Sequence, residues 1–337
     1  MLSDFVINFI NYCIGGNLMY FDKAIETMQP MEMKILQSKR LQKTILWVQE
    51  KSAFYQKRFN DVNLDLKQIK SIEDINKLPF TTKEDLIKNA PFGMLTIPMS
   101  SVIRLEPIES LAPLVMAYTS DDVRHSIEML ARCLVAGGLN ISSIIQIYED
   151  YFTPIAMGMQ YAAEAIGATV VPIKVKPLEK QLEIIQKFNI NYLATSPQRI
   201  LHLIVAGQAF GYDFAKMPIS TIFAINNMLR SPITEHLEAR IGAIVFNLFS
   251  IPELIGPGIA FECIMKKGFH VNEDYFYPEV INVCTEENVG SGEMGELVLT
   301  SLTTEAMPII RYRTGQLVQL EREICQCGRS LIRLLTP

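Results

Sequence analysis

The sequence predicts an α/β protein: layered parallel-sheet subdomains plus a smaller β-rich region. Three observations carry this. From about residue 100, short runs rich in Val, Ile, Thr and Tyr alternate with stretches of helical periodicity. After Leu248 the helical pattern stops and glycines punctuate short strands. The 337 residues are 49% hydrophobic, enough to fill a sizeable core.

Taken in order, residues 1–99 read as a helical lead-in. Leu41, Ile45 and Val48 recur at helical spacing between Ile35 and Phe59. Leu78-Pro79-Phe80 breaks the chain, and Thr81 to Glu84 has the form of a capping box opening a helix through Leu86. Residues 100–248 form the α/β part. Its strand candidates are Ile144 to Tyr148, Thr169 to Ile173, Tyr192 to Thr195, Thr221 to Ile225 and Ala243 to Leu248. Helices are expected between them at about 155–166, 178–188, 198–207 and 232–241, the last opened by Ser231-Pro232. Such alternation makes βαβ units and a sheet covered on both faces. In residues 249–337, Gly268, Gly290, Gly292 and Gly295 separate strands such as Glu296 to Leu302 and Leu317 to Leu320, an antiparallel meander or small barrel.

Composition excludes several classes. A net charge of −5 gives no footing for nucleic acid or an anionic membrane surface. No apolar run approaches the roughly 18 residues of a bilayer span. Met1 to Ile14 is apolar but carries Asp4 and has neither a basic segment nor a small-residue cleavage site, so a signal peptide is not expected. Six cysteines in so long a chain are no disulfide framework, which implies a reduced, cytoplasmic setting.

Four residues have the chemistry of a closed metal site. Cys325-Gln326-Cys327-Gly328 resembles half of a zinc knuckle, in which the glycine turns the backbone with φ > 0 and aims N–H groups at the thiolates. Cys263 and His270 flank Lys266-Lys267-Gly268 as two ligands on a hairpin would. Together they make a Cys₃His set with no open position for a catalytic water. The alternative reading makes Cys263 a small core hydrophobe and His270 a surface residue. Cys284 reads as core.

Several strings together resemble the phenylacetate–coenzyme A ligase branch of the adenylate-forming enzymes. They are Leu78-Pro79-Phe80-Thr81-Thr82-Lys83-Glu84-Asp85-Leu86, Pro91-Phe92-Gly93-Met94, the Gly256-Pro257-Gly258 segment through Cys263, Gly295-Glu296-Leu297-Val298-Leu299-Thr300-Ser301-Leu302 and Arg311-Tyr312-Arg313-Thr314-Gly315. The similarity runs from about Tyr20 to Arg333. It implies α/β layers plus a distorted barrel, a zinc on Cys263, His270, Cys325 and Cys327, and the conversion of a carboxylate, ATP and coenzyme A to an acyl-CoA through an acyl-adenylate. It also implies that Phe249 would stack on adenine, Glu253 would ligate Mg²⁺, Gln316 would face the ribose, and Arg311 and Arg313 would lie at the nucleotide.

The resemblance is incomplete where phosphate is handled. Between Arg104 and Tyr118-Thr119, where the family has a Ser/Thr/Gly-rich loop ending in Lys-Pro, stands Leu105 to Leu114, with no glycine or lysine and with Glu106 and Glu109. Pro252 replaces a serine and removes an N–H, and Gln316 replaces an aspartate. Phe249 also reads as ordinary packing, Glu253 as a solvated loop acid, and Arg311 and Arg313 as structural ion-pair formers. Asn226-Asn227, at a strand's carboxyl end, reads as an altered pocket or a turn. The family's C-terminal lid domain, which carries the adenylation lysine, is expected to be absent because the sequence ends at Pro337. The expectation is therefore a degenerate, zinc-containing relative that lacks efficient adenylation and acts by binding or partnering, through a small aromatic carboxylic acid, a homodimer or a paralogous ligase subunit. The alternative is an active ATP-dependent carboxylate–CoA ligase using a separately encoded lid.

Overall fold

A computed structural model describes residues 20–108, 114–149, 153–172, 177–226, 237–238, 240–254, 257–290 and 292–336. The chain divides into two compact units. One takes the described residues of Met1–Asp22, Ile127–Ser250 and Gly256–Phe269; the other takes Lys23–Ser126, Ile251–Ile255 and His270–Pro337.

The lead-in is helical, as its periodicity predicts: α1 (Lys23–Glu26), α2 (Pro30–Lys51), α3 (Ala53–Asp61) and α4 (Lys83–Lys88). Leu41, Ile45 and Val48 are buried on α2. The Ile35–Phe59 stretch is not one helix. Ser52 breaks it, and its Oγ accepts the Tyr55 N–H at 3.4 Å to cap α3. The capping box of α4 is shifted by one residue: Thr82 is the N-cap and Asp85 its reciprocal partner. Thr81 is engaged elsewhere. Its hydroxyl donates to the Ile310 carbonyl at 2.7 Å, and its backbone pairs with Arg311 and Arg313. Next, β1 (Arg104–Pro107) and β2 (Val115–Tyr118) form an antiparallel pair with Arg104 opposite Tyr118. Residues 109–113, within the Leu105 to Leu114 segment, lie outside the described residues.

The α/β part follows: α5 (Ser120–Ala136), β3 (Ile144–Ile147), α6 (Pro154–Ile166), β4 (Thr169–Val170), α7 (Leu178–Lys187), β5 (Tyr192–Thr195), α8 (Pro197–Ala209), β6 (Thr221–Asn226), β7 (Ile244–Ser250) and β8 (Pro257–Glu262). Strands run in the order β4-β3-β5-β6-β7-β8, parallel up to β7, with β8 antiparallel to it. Every residue of β5 and β7 is buried, the pattern of a sheet covered on both faces. Leu182 and Ile185 of α7, Leu203 of α8 and Ile222 of β6 share one core with Leu193 and Val245. Helix α6 has the start and stop its sequence calls for: Thr153 accepts the Ala156 N–H, Pro154 follows, and Gly167 closes the helix at φ 89°. The end of the predicted strand at Ile173 and most of the predicted helix 232–241 lie outside the described residues.

Among the described residues no helix follows β7. The chain continues as β9 (Phe269–Val271), β10 (Phe276–Ile281), β11 (Gly295–Ser301), β12 (Tyr312–Glu321) and β13 (Arg333–Leu335). Strands β10 to β13 pair consecutively and antiparallel, the predicted meander, with a bulge between Glu296 and Val298.

A buried acid ties this meander to α2. Glu273 accepts the Ile332 N–H at 3.1 Å and the Gln37 amide at 3.3 Å. Burial pushes its carboxyl up to about 7, partly offset by those hydrogen bonds and by Arg322, while Asp274 adds to the rise. The folded state therefore holds this proton more tightly than the unfolded chain. The contribution is complete below the unfolded value of 4.5 and is lost as pH climbs through about 7. The rise from 4.5 to about 7 corresponds to on the order of 3 kcal/mol. Urea unfolding of wild type and Glu273→Gln at pH 5 and pH 8 checks this. The wild type should lose more stability than the variant over that interval; parallel behaviour would refute the assignment.

Candidate metal centre and nucleotide-binding residues

Cys263 directly follows β8, and the turn after it closes through the Lys266 N–H on the Cys263 carbonyl at 2.9 Å, with Lys266 at φ 51° and Gly268 at φ 86°. His270 is the middle residue of β9. Near the carboxyl end, Gly328 adopts φ 88°, as the knuckle pattern requires. Its N–H goes to the Cys325 carbonyl at 2.8 Å rather than to a sulfur, and the Cys325 N–H goes to the Arg329 carbonyl at 3.0 Å. Cys263, His270, Cys325 and Cys327 are all buried, and one donor atom from each lies within 4.8 Å of the others. All four predicted ligands come together.

The surroundings fit a metal ion. His270 Nδ1 lies 3.3 Å from the Leu331 carbonyl, an acceptor only, so Nδ1 carries the proton and Nε2 presents its lone pair. Nε2 is 3.5 Å from Cys327 Sγ. The Arg329 guanidinium approaches the same sulfur at 3.7 Å and is held from behind by Glu26 at 2.7 Å, both side chains buried. A cation beside a thiolate favours the ionised form that a metal binds. The sequence offered no sign of Glu26, which is about 300 residues from its partner. Cys284 corrects an expectation: it is exposed, in a turn where Asn282 accepts its N–H at 2.8 Å.

The residues expected at a nucleotide have diverse fates. Phe249, on β7, is fully buried. Glu253 is not a solvated loop acid: it is buried, and its Oε1 lies 2.7 Å from Lys83 Nζ, which is half-exposed. An ammonium thus already lies against one oxygen of Glu253. Arg311 is buried, paired in bidentate fashion with Glu279 at 3.0 and 3.1 Å, donates to the carbonyls of Asn76 and Leu78, and stacks on Phe80. Arg313 bonds Glu296 at 2.6 Å and Glu286 at 2.7 Å. Gln316, half-buried on β12, makes no side-chain hydrogen bond among the described residues, so its amide is available to a hydroxyl. Asn226 ends β6, and Asn227 lies outside the described residues. Across the β1–β2 pair the Tyr118 hydroxyl donates to the Glu106 carboxyl, which burial raises.

The architecture is that of an acyl-CoA ligase large domain. An open conformation of 2-hydroxyisobutyryl-CoA ligase, solved in complex with 2-HIB-AMP and CoA, superposes with a TM-score of 0.86 at 21% identity, covering 94% of this chain and 76% of that one. No family model matches the chain. It is 32% identical to the phenylacetate–coenzyme A ligase of Thermus thermophilus, over 94% of this chain and 72% of that protein. It is 35% identical to the phenylacetate–coenzyme A ligase of Aromatoleum evansii, over 93% and 72% respectively. The chain belongs to the phenylacetate–coenzyme A ligase family. Among the described residues, no helix is long and apolar enough to cross a membrane.

Proposed function

We propose that the chain takes part in ATP-dependent ligation of an aromatic carboxylic acid to coenzyme A. The observation that carries this reading is the 32–35% identity to phenylacetate–coenzyme A ligases across more than nine-tenths of the chain. Glu253 would hold Mg²⁺ once Lys83 swings away, which its half-exposed side chain permits, and Gln316 would take a ribose hydroxyl. ATP supplies the adenylyl group that activates the carboxylate. The Cys₃His set would hold zinc in a structural role, since four protein donors leave no position for substrate. Phenylacetate, ATP–Mg²⁺, coenzyme A and the protein should together give a thioester detectable by mass spectrometry. No acyl-CoA from phenylacetate or other aryl acids, at protein concentrations of about 10 µM, would set the reading aside.

A second reading rests on specific geometry. Lys83 already neutralises Glu253, Arg311 and Arg313 are committed to carboxylates, and Leu105 to Leu114 offers neither glycine nor lysine. These favour a family member that binds an aromatic acid or a partner chain without forming adenylate. Titration with ATP–Mg²⁺ separates the two: micromolar binding belongs to the ligase, and none to the binding protein.

A further inference from the structure

A cavity of about 410 Å³ opens in the second unit, and none of the candidate metal ligands or nucleotide residues lines it. Its lining includes apolar Met28, Pro30, Met33 and Ile332. It also includes Tyr277, Asn288 and Arg322, together with the buried carboxyl of Glu273. A smaller cavity of about 210 Å³ shares the same Tyr277, Asn288 and Arg322, so these three side chains face open space on both sides. Among the described residues, none of the three makes a side-chain hydrogen bond or ion pair with protein. This is unlike two other arginines of the meander. Arg311 and Arg313 are each locked to carboxylates, and the rim pair Lys34–Glu73 is closed at 2.8 Å.

A guanidinium, a phenol and an amide whose donors make no hydrogen bond among the described residues lie in one place. That set matches a planar anion, which a guanidinium grips with two parallel bonds. The apolar lining requires the rest of the ligand to be hydrocarbon or aromatic, and the volume lies within the range of small-molecule sites. Phosphate esters fit less well, because one guanidinium faces them and Glu73 and Glu273 stand nearby. We infer that this cavity binds a small monocarboxylate with an apolar body, its carboxylate held by Arg322 and Tyr277 and its body against Met28, Met33 and Ile332. Glu273, whose carboxyl is raised to about 7, is protonated in slightly acid solution and then adds a donor rather than a repulsive charge.

Photolabelling with a diazirine-bearing phenylacetate, followed by peptide mapping, tests the site without any turnover. Label is expected within Met28–Lys34. Arg322→Ala should reduce it about tenfold, as loss of a charge-assisted pair does, and the uncharged amide of the same probe should label that segment no more than background. Arg322 is exposed, so the variant keeps the fold; Tyr277→Phe, with a smaller expected reduction, provides an independent check. Absence of label in Met28–Lys34, equal labelling by the amide, or full labelling of Arg322→Ala would overturn the inference. Acyl-CoA formation is a separate readout, so this site can fail while the proposed ligation stands, and the reverse.

Discussion

Cys327→Ser should strip the metal and cost the protein several degrees of melting temperature. The wild type, purified without chelator, should carry close to one zinc per chain and the variant less than about 0.2. Serine is a poor zinc ligand at neutral pH, and its loss leaves Cys263, Cys325 and His270 buried around an incomplete site. Arg329 at the same time loses the sulfur it approaches at 3.7 Å. A loss of about 3 kcal/mol would lower the melting temperature of a chain of 337 residues by about 4 °C. Elemental analysis and differential scanning calorimetry check both halves. Full zinc content in the variant, or an unchanged transition, would count against a structural centre.

Arg311→Ala should be about as damaging, for a different reason. The guanidinium and the Glu279 carboxylate are both nearly inaccessible, at 4% and 2% side-chain exposure. Burial pushes the Glu279 carboxyl up, and Arg311 opposes the rise. Removing the arginine leaves that acid and the carbonyls of Asn76 and Leu78 without their donor, at a cost of about 3–5 kcal/mol. Arg311→Met combined with Glu279→Leu should be less destabilised than Arg311→Ala alone, because replacing both partners removes the buried charge. Denaturant unfolding of the three proteins tells a structural pair from a nucleotide contact. A nucleotide contact would leave unfolding unchanged and alter only ATP affinity.

The parts of this protein that could be read from sequence are those written locally. Thr153-Pro154 and Gly167 mark the ends of α6, alternating strands and helices announce the parallel sheet, and Gly328 reveals its left-handed turn. The grouping of Cys263, His270, Cys325 and Cys327 was also legible, since their residue types and hairpin spacing carry the chemistry of a candidate metal site. What could not be read depends on partners far along the chain. Lys83 meets Glu253 across 170 positions, and Glu279 meets Arg311 across 32. Nothing near Arg311 distinguishes a phosphate ligand from half of a buried pair. Similarly, Thr81 and Thr82 are equivalent as caps by pattern, and only the distant Ile310 carbonyl decides between them by engaging the Thr81 hydroxyl. Cys284 was misjudged because the apolar strand before it ends at Ile281, three residues earlier.

The proposed ligation depends on its first half-reaction. Isotope exchange between ATP and pyrophosphate measures that step alone, without coenzyme A. The ligase reading predicts exchange that requires Mg²⁺ and rises with added aryl carboxylate, and that falls at least about tenfold in Glu253→Gln. Exchange at the level of a protein-free blank across a panel of aryl acids would contradict it and leave the chain as a binding member of its family.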